Sequence, residues 1–211
     1  MQIRKFSHSC MLVEADGVRV LIDPGSYSSG FESLSELDAL LLTHQHVDHF
    51  DKDRILDLLS RNDRAAVMAD EQTAALLAEA GRQVRTVHEE DRFPVGPVEV
   101  TVHGREHAVV HPDLPNVTNV GYFLADTVFH PGDALTVPDR PVGVLALPVG
   151  APWLPIRDAI DYMRAVRPRV AIAVHERALG SPQLAYGLLG RFAADLGTRF
   201  VVLEGDDSLT E

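Results

Sequence analysis

Thr43-His44-Gln45-His46-Val47-Asp48-His49 is the stretch that decides how this chain is read. It follows an apolar run from Ala39 to Leu42. Such a run is expected of a strand buried on both faces, so the histidines stand where that strand opens into a loop. If the backbone stays extended past Thr43, alternation puts His44, His46 and Asp48 on one side. His49 then turns away as the next helix begins. One short segment can therefore address two neighbouring points in space. Imidazole nitrogens and a carboxylate are good donors to divalent cations. A merely polar strand end would explain neither the residue types nor their spacing.

Upstream, residues 2–14 and 18–23 read as two strands joined at Ala15-Asp16-Gly17, a hairpin turn signal. The second strand stops at Asp23-Pro24-Gly25, and a loop rich in Ser and Gly leads to a third strand at 37–43. Downstream, Asp51 suits the N-cap of a helix over 52–59, with Ile55, Leu56 and Leu59 as its buried face. Strand 65–68, helix 71–80 and strand 83–87 follow, then a solvated turn at 88–92. Residues 98–103 alternate as a strand, and the loop 104–119 after it carries His107 and His111. A hairpin around Asp126 leads to His130-Pro131-Gly132-Asp133. A buried strand over 142–149 precedes the loop holding Trp153, the only tryptophan.

The last quarter alternates again. Ile156, Ala159, Ile160, Met163 and Val166 share one face of a helix over 156–166. Strand 170–174 ends at His175. A helix over 182–196 has Leu184, Leu188, Phe192 and Leu196 in register. A closing strand covers 199–203, and the acidic tail reads as exposed. Strands then helices occur twice, with no repeat and no dividing linker. That order fits one α/β domain over residues 1–211, with two sheets face to face and helices outside, a four-layer αββα sandwich.

Length and composition agree with this. The chain has 211 residues, 45% hydrophobic and 24% charged, enough for a substantial core without staples. The net charge of −12 argues against a nucleic-acid partner, which calls for a basic surface, and against an anionic membrane. No apolar run is long enough to span a membrane, and no signal-peptide pattern opens the chain. Cys10 is the single cysteine, so no intrachain disulfide forms. The expectation is a cytoplasmic protein acting on a small molecule. A homo-oligomer is compatible with this reading.

The motif THQHVDH after a strand resembles the signature of the metallo-β-lactamase fold superfamily. His8-Ser9-Cys10, the LIDPG segment, HPGDA, LPVGAPW and a late strand ending in His175 extend the resemblance over most of the chain. Together they look most like the compact lactonase-like branch, which includes relatives of ascorbate-6-phosphate lactonase. The resemblance implies the same αββα fold and two divalent metal ions, Zn²⁺ first, with Mn²⁺, Ni²⁺ or Fe²⁺ as alternatives. It implies that His44, His46 and a third histidine hold one ion, that Asp48, His49 and His175 hold the other, and that Asp133 bridges them. Members often have Thr or Ser after the Gly-Asp pair, where this chain has Ala134. His103, His107 and His111 all fall in the region that supplies the third histidine; His107 matches best and His111 is its rival. His8 is expected beside the metals or facing substrate rather than binding an ion.

The implied chemistry is hydrolysis of a small ester, lactone or phosphoester by a hydroxide held between the metals. Asp48 would orient it or protonate the leaving group, and His49 would hold the second ion. Two other readings compete: a phosphodiesterase or nuclease of the same fold, and a metal-binding or ligand-sensing protein without catalysis. The acidic charge counts against the first. The apparently full ligand set counts against the second.

Overall fold

A computed structural model describes residues 1–211. The first half of the chain runs β1 (Gln2–Lys5), β2 (Met11–Ala15), β3 (Val18–Ile22), β4 (Ala39–Leu42), α1 (Lys52–Arg61), β5 (Ala66–Ala69), α2 (Glu71–Glu79) and β6 (Arg85–Thr86). The second half runs β7 (Arg92–Val95), β8 (Val98–His103), β9 (Gly121–Leu124), β10 (Val128–His130), β11 (Val144–Pro148), α3 (Ile156–Val166), β12 (Val170–Val174), α4 (Gln183–Leu196), β13 (Arg199–Val201) and β14 (Ser208–Thr210). One sheet has the order β14-β1-β2-β3-β4-β5-β6 and the other β13-β12-β11-β10-β9-β8-β7. No helix is long and apolar enough to cross a membrane.

The layering follows from residue alternation. In β4, Ala39 and Leu41 join the core between the sheets, while Leu40 and Leu42 join the core under α1 and α2. In β11, Val144 and Ala146 face the inter-sheet core, and Leu145 and Leu147 pack under α3 and α4. Strands with two apolar faces sit between two layers, so the fold is the αββα sandwich. Asp51 caps α1 by accepting from the Arg54 amide, and Asp70 caps α2 through the Gln72 and Thr73 amides.

Within the first sheet β3 to β6 run parallel, and within the second β10 to β13 do. The C-terminal strand ends therefore gather along one edge of each sheet. Bonds between the two halves bring those edges together, three of them as follows. The Tyr122 hydroxyl donates to the Leu42 carbonyl at 2.9 Å, the Val120 amide to Thr43 at 3.0 Å, and the His175 amide to His8 at 3.2 Å.

Several elements differ from the sequence reading. Residues 2–14 form two antiparallel strands, because Ser7 and His8 take positive φ (62° and 49°) and reverse the chain. This turn aims His8 inward. Strand β7 was not anticipated; it contains Pro94 and is tolerated because it lies at the sheet edge. The buried face of α1 is Ile55, Leu58 and Leu59, with Leu56 only partly covered. The buried face of α4 is Ala185, Leu189 and Ala193, one position off the expected stripe, and Leu184 is 74% exposed. Small residues let α4 lie close to the sheet while Phe192 and Leu196 flank the contact. The acidic tail is not free: β14 pairs with β1, and Leu209 is buried.

Candidate metal centre

The β4 extension, the loop after β8, the turn after β10 and the end of β12 converge at the shared strand edge. Two groups of possible metal donors result: His44, His46, His107 and Asp133, and His8, Asp48, His49 and His175. Within each group the donor atoms lie within 4.8 Å of one another. Two ligands held at about 2.1 Å by one tetrahedral ion stand about 3.4 Å apart. Donor pairs here fall on that scale. His107 Nε2 is 3.3 Å and His175 Nε2 is 3.1 Å from Asp133 Oδ2, and His49 Nε2 is 3.0 Å from Asp133 Oδ1. The Asp133 carboxylate thus borders both groups. Asp48 Oδ2 lies 3.3 Å from His175 Nε2 and 3.9 Å from His49 Nε2.

The surroundings fix which nitrogen of each ring faces inward. His49 Nδ1 donates to Asp23 Oδ2 at 2.7 Å, and His175 Nδ1 to the Gly150 carbonyl at 2.7 Å. His107 Nδ1 donates to the Ala108 carbonyl at 2.5 Å. The Thr43 hydroxyl gives its proton to Asp23 Oδ2 at 2.6 Å, so its oxygen accepts from His44 Nδ1 at 3.0 Å. With Nδ1 engaged in all four rings, Nε2 is the nitrogen each ring turns into the site, free to take a proton or to give a lone pair to a metal. These four Nε2 atoms are buried and have no hydrogen-bond partner. Buried ring nitrogens without a partner are costly in a folded protein unless something binds them. A divalent cation at each group satisfies them, so the residues present fit a metal pair.

Charge leads to the same fit. Asp23, Asp48 and Asp133 place three carboxylates in or beside the site, two of them buried. Burial would lower the pKa of His49, but Asp133 and Asp23 outweigh it and raise that pKa well above the usual value. Burial likewise opposes protonation of His175, and Asp133 and Asp48 lift it to about 9. Burial would raise the Asp48 carboxyl, but hydrogen bonds from His175 and His8 hold it far below the usual range. Burial, then neighbouring histidines, keep His44 and His46 neutral. Protons on His49 and His175 balance the carboxylates here; bound cations would take over that task.

Backbone geometry supports the cluster. A Cβ on Gly25 would lie 1.9 Å from the Asp48 carbonyl oxygen, so the turn after β3 rests directly on the Asp48–His49 backbone. Gly132, at φ 63°, turns the chain so that the Asp133 amide donates to Asn119 Oδ1 at 2.9 Å. His130 lies outside the cluster. Its Nε2 donates to the Ser9 carbonyl at 2.9 Å and its Nδ1 accepts from the Gly132 amide, which ties the His8 loop to the Gly-Asp turn.

Of the rival histidines, the structure brings in only His107. His111 is exposed beside Asp113, and His103 pairs with Thr101 among Phe123 and Phe129. His8 stands closer than expected: fully buried, its Nε2 lies 3.0 Å from Asp48 Oδ2, and burial lowers its pKa to about 4. Trp153, in the loop after β11, donates Nε1 to Asp133 Oδ2 at 3.1 Å. The role of Asp23 was missed. Its LIDPG segment was noticed, but only the fold shows that its carboxylate reaches His49 and Thr43.

Comparison with known proteins agrees with this architecture. The model of the beta-lactamase superfamily domain matches residues 2–175, and the chain belongs to that family. Among curated proteins it is 42% identical over 215 residues to protein Rv0786c of Mycobacterium tuberculosis, covering 100% of both. It is also 30% identical over 186 residues to a UPF0173 protein of Pyrococcus furiosus, covering 83% of each. Among solved structures, Igni18, described as a novel metallo hydrolase of the archaeon Ignicoccus hospitalis, superimposes with a TM-score of 0.76 at 22% identity. The match covers 99% of this chain and 97% of that one.

Proposed function

We propose that this protein is a metal-dependent hydrolase with a two-ion centre. The observation that carries the proposal is the set of four buried, unpartnered Nε2 atoms gathered with the Asp133 and Asp48 carboxylates into two groups of donors. His44, His46 and His107 would hold one ion and Asp48, His49 and His175 the other, with Asp133, which borders both groups, available to either. Zn²⁺ suits the imidazole and carboxylate donors best; Mn²⁺, Ni²⁺ and Fe²⁺ use the same donors. When bound, the ions supply an activated water near neutral pH and polarise the substrate oxygen. The names of Igni18 and of the UPF0173 metal-dependent hydrolases of Bacillus cereus and Lysinibacillus sphaericus lend support.

The chain's own residues supply orientation and proton handling. Asp48 is the more open of the two carboxylates, with 19% of its side chain exposed against 4% for Asp133. Its Oδ2 is held by His8 at 3.0 Å, and the rest of the carboxylate is open to solvent. Asp48 would therefore orient the attacking water, or take its proton and pass it on to the leaving oxygen. The Trp153 indole N–H fixes Asp133, and Asp23 fixes His49. The substrate is a small ester, lactone or phosphoester, in keeping with the lactonase-like sequence pattern. A cytoplasmic location is part of this reading.

The test is turnover of p-nitrophenyl esters and bis-p-nitrophenyl phosphate by zinc-loaded protein, with and without chelator. Turnover abolished by chelator and restored by metal is expected. Turnover indifferent to chelation, or none by the fully loaded protein, would overturn the proposal.

A further inference from the structure

Seven large apolar side chains are exposed on this protein, and five of them border the candidate metal centre. Val47 lies between His46 and Asp48 in the signature segment. Val109, Val110 and Leu114 project from the loop that carries His107. They line a notch of about 80 Å³ together with His46 and His107 themselves. Tyr27 stands on the opposite side, its ring edge-on to His8 at 5.2 Å. None of these side chains contributes to the three hydrophobic cores. Apolar groups held in water beside a polar centre gain only when something covers them.

The charge around the notch narrows what that is. No lysine or arginine lines it. Lys5 is buried and paired with Glu176 at 2.9 Å, and Arg177 lies across the site on the Tyr27 side. A phosphoester carries charge that enzymes usually meet with an Arg or Lys clamp. An ester or lactone carries none.

We infer that Val109, Val110 and Leu114 form a lip that binds the apolar arm of the substrate, and that the substrates are neutral esters or lactones bearing a short acyl or alkyl group. The notch shares His46 and His107 with the metal centre, so an arm seated in it leaves the carbonyl end over the metal groups. Its small size selects short or branched arms rather than polymers. The inference rests on the hydrolase reading for the bond that is broken, but the lip itself can be tested by binding alone.

The experiment is titration of zinc-loaded protein with straight-chain carboxylates from acetate to octanoate and with inorganic phosphate. Fluorescence of Trp153, whose indole touches Asp133, reports occupancy. Affinity is expected to rise about 2- to 4-fold per methylene over the first members of the series. In the Val110→Ser/Leu114→Ser variant the rise should flatten, with bound zinc unchanged as the check that the fold persists. A flat series in the wild type, or phosphate binding tighter than hexanoate, would overturn the lip. A rising series without turnover of any p-nitrophenyl ester would uphold the lip and remove the hydrolase reading. Turnover with a flat series would do the reverse.

Discussion

Replacing Asp23 by Asn tests whether the donor set depends on one buried carboxylate. Asp23 is fully buried, and its Oδ2 accepts from His49 Nδ1 at 2.7 Å and from the Thr43 hydroxyl at 2.6 Å, while Oδ1 accepts from the Thr43 amide at 2.8 Å. An asparagine of the same shape must keep its oxygen toward the Thr43 amide, which has no other acceptor there. Its NH₂ then faces His49 Nδ1. Two donors cannot face each other, so His49 shifts its proton to Nε2, the atom meant for the second ion. Loss of such a supporting carboxylate typically lowers metal affinity about 10- to 100-fold, or roughly 1.4–2.7 kcal/mol. The assay is zinc competition against a chromophoric chelator. Both ions are expected to weaken, because the same NH₂ also replaces the acceptor of the Thr43 hydroxyl, which then donates to His44 Nδ1 instead of accepting from it. Two ions bound as tightly as in the wild type would refute the tautomer argument.

Gly25→Ala places a methyl 1.9 Å from the Asp48 carbonyl oxygen, and the backbone there must move. Thermal unfolding should show a loss of about 1–3 kcal/mol or more, together with weaker metal binding; an unchanged midpoint would contradict the packing described. Asp51→Ala removes the α1 N-cap and should cost about 1 kcal/mol in denaturant unfolding while leaving metal content unchanged. Leu41→Ala empties a fully buried position between the sheets and should cost about 2–5 kcal/mol; a loss under about 1 kcal/mol would mean that the inter-sheet core repacks freely.

Much of the fold was legible because its strands announce themselves. The run from Ala39 to Leu42 is apolar on both faces, and the structure buries both. Helix α3 begins and ends where its periodicity does. The reversal at Ser7 and His8 was not legible, since it depends on two non-glycine residues in left-handed conformation held by tertiary contacts, including the His8 amide on Glu176. The stripe on α4 was misplaced because large residues suggested the buried face, whereas close packing chose Ala185 and Ala193. Around the metal centre, spacing marked the segment 44–49 and local motifs marked Asp133 and His175. The choice among His103, His107 and His111 needed the path of the loop, because sequence gives the spacing along the chain and not the direction of each ring.

The most direct test of the two-ion centre is metal content by mass spectrometry on protein purified without added metal or chelator. It should be compared with a His44→Ala/His46→Ala variant and an Asp48→Ala/His175→Ala variant. About two equivalents per chain in the wild type, and about one in each variant, are expected of a paired site with Asp133 between the ions. Little or no metal in the wild type even after reconstitution, or the same content in all three proteins, would contradict the account.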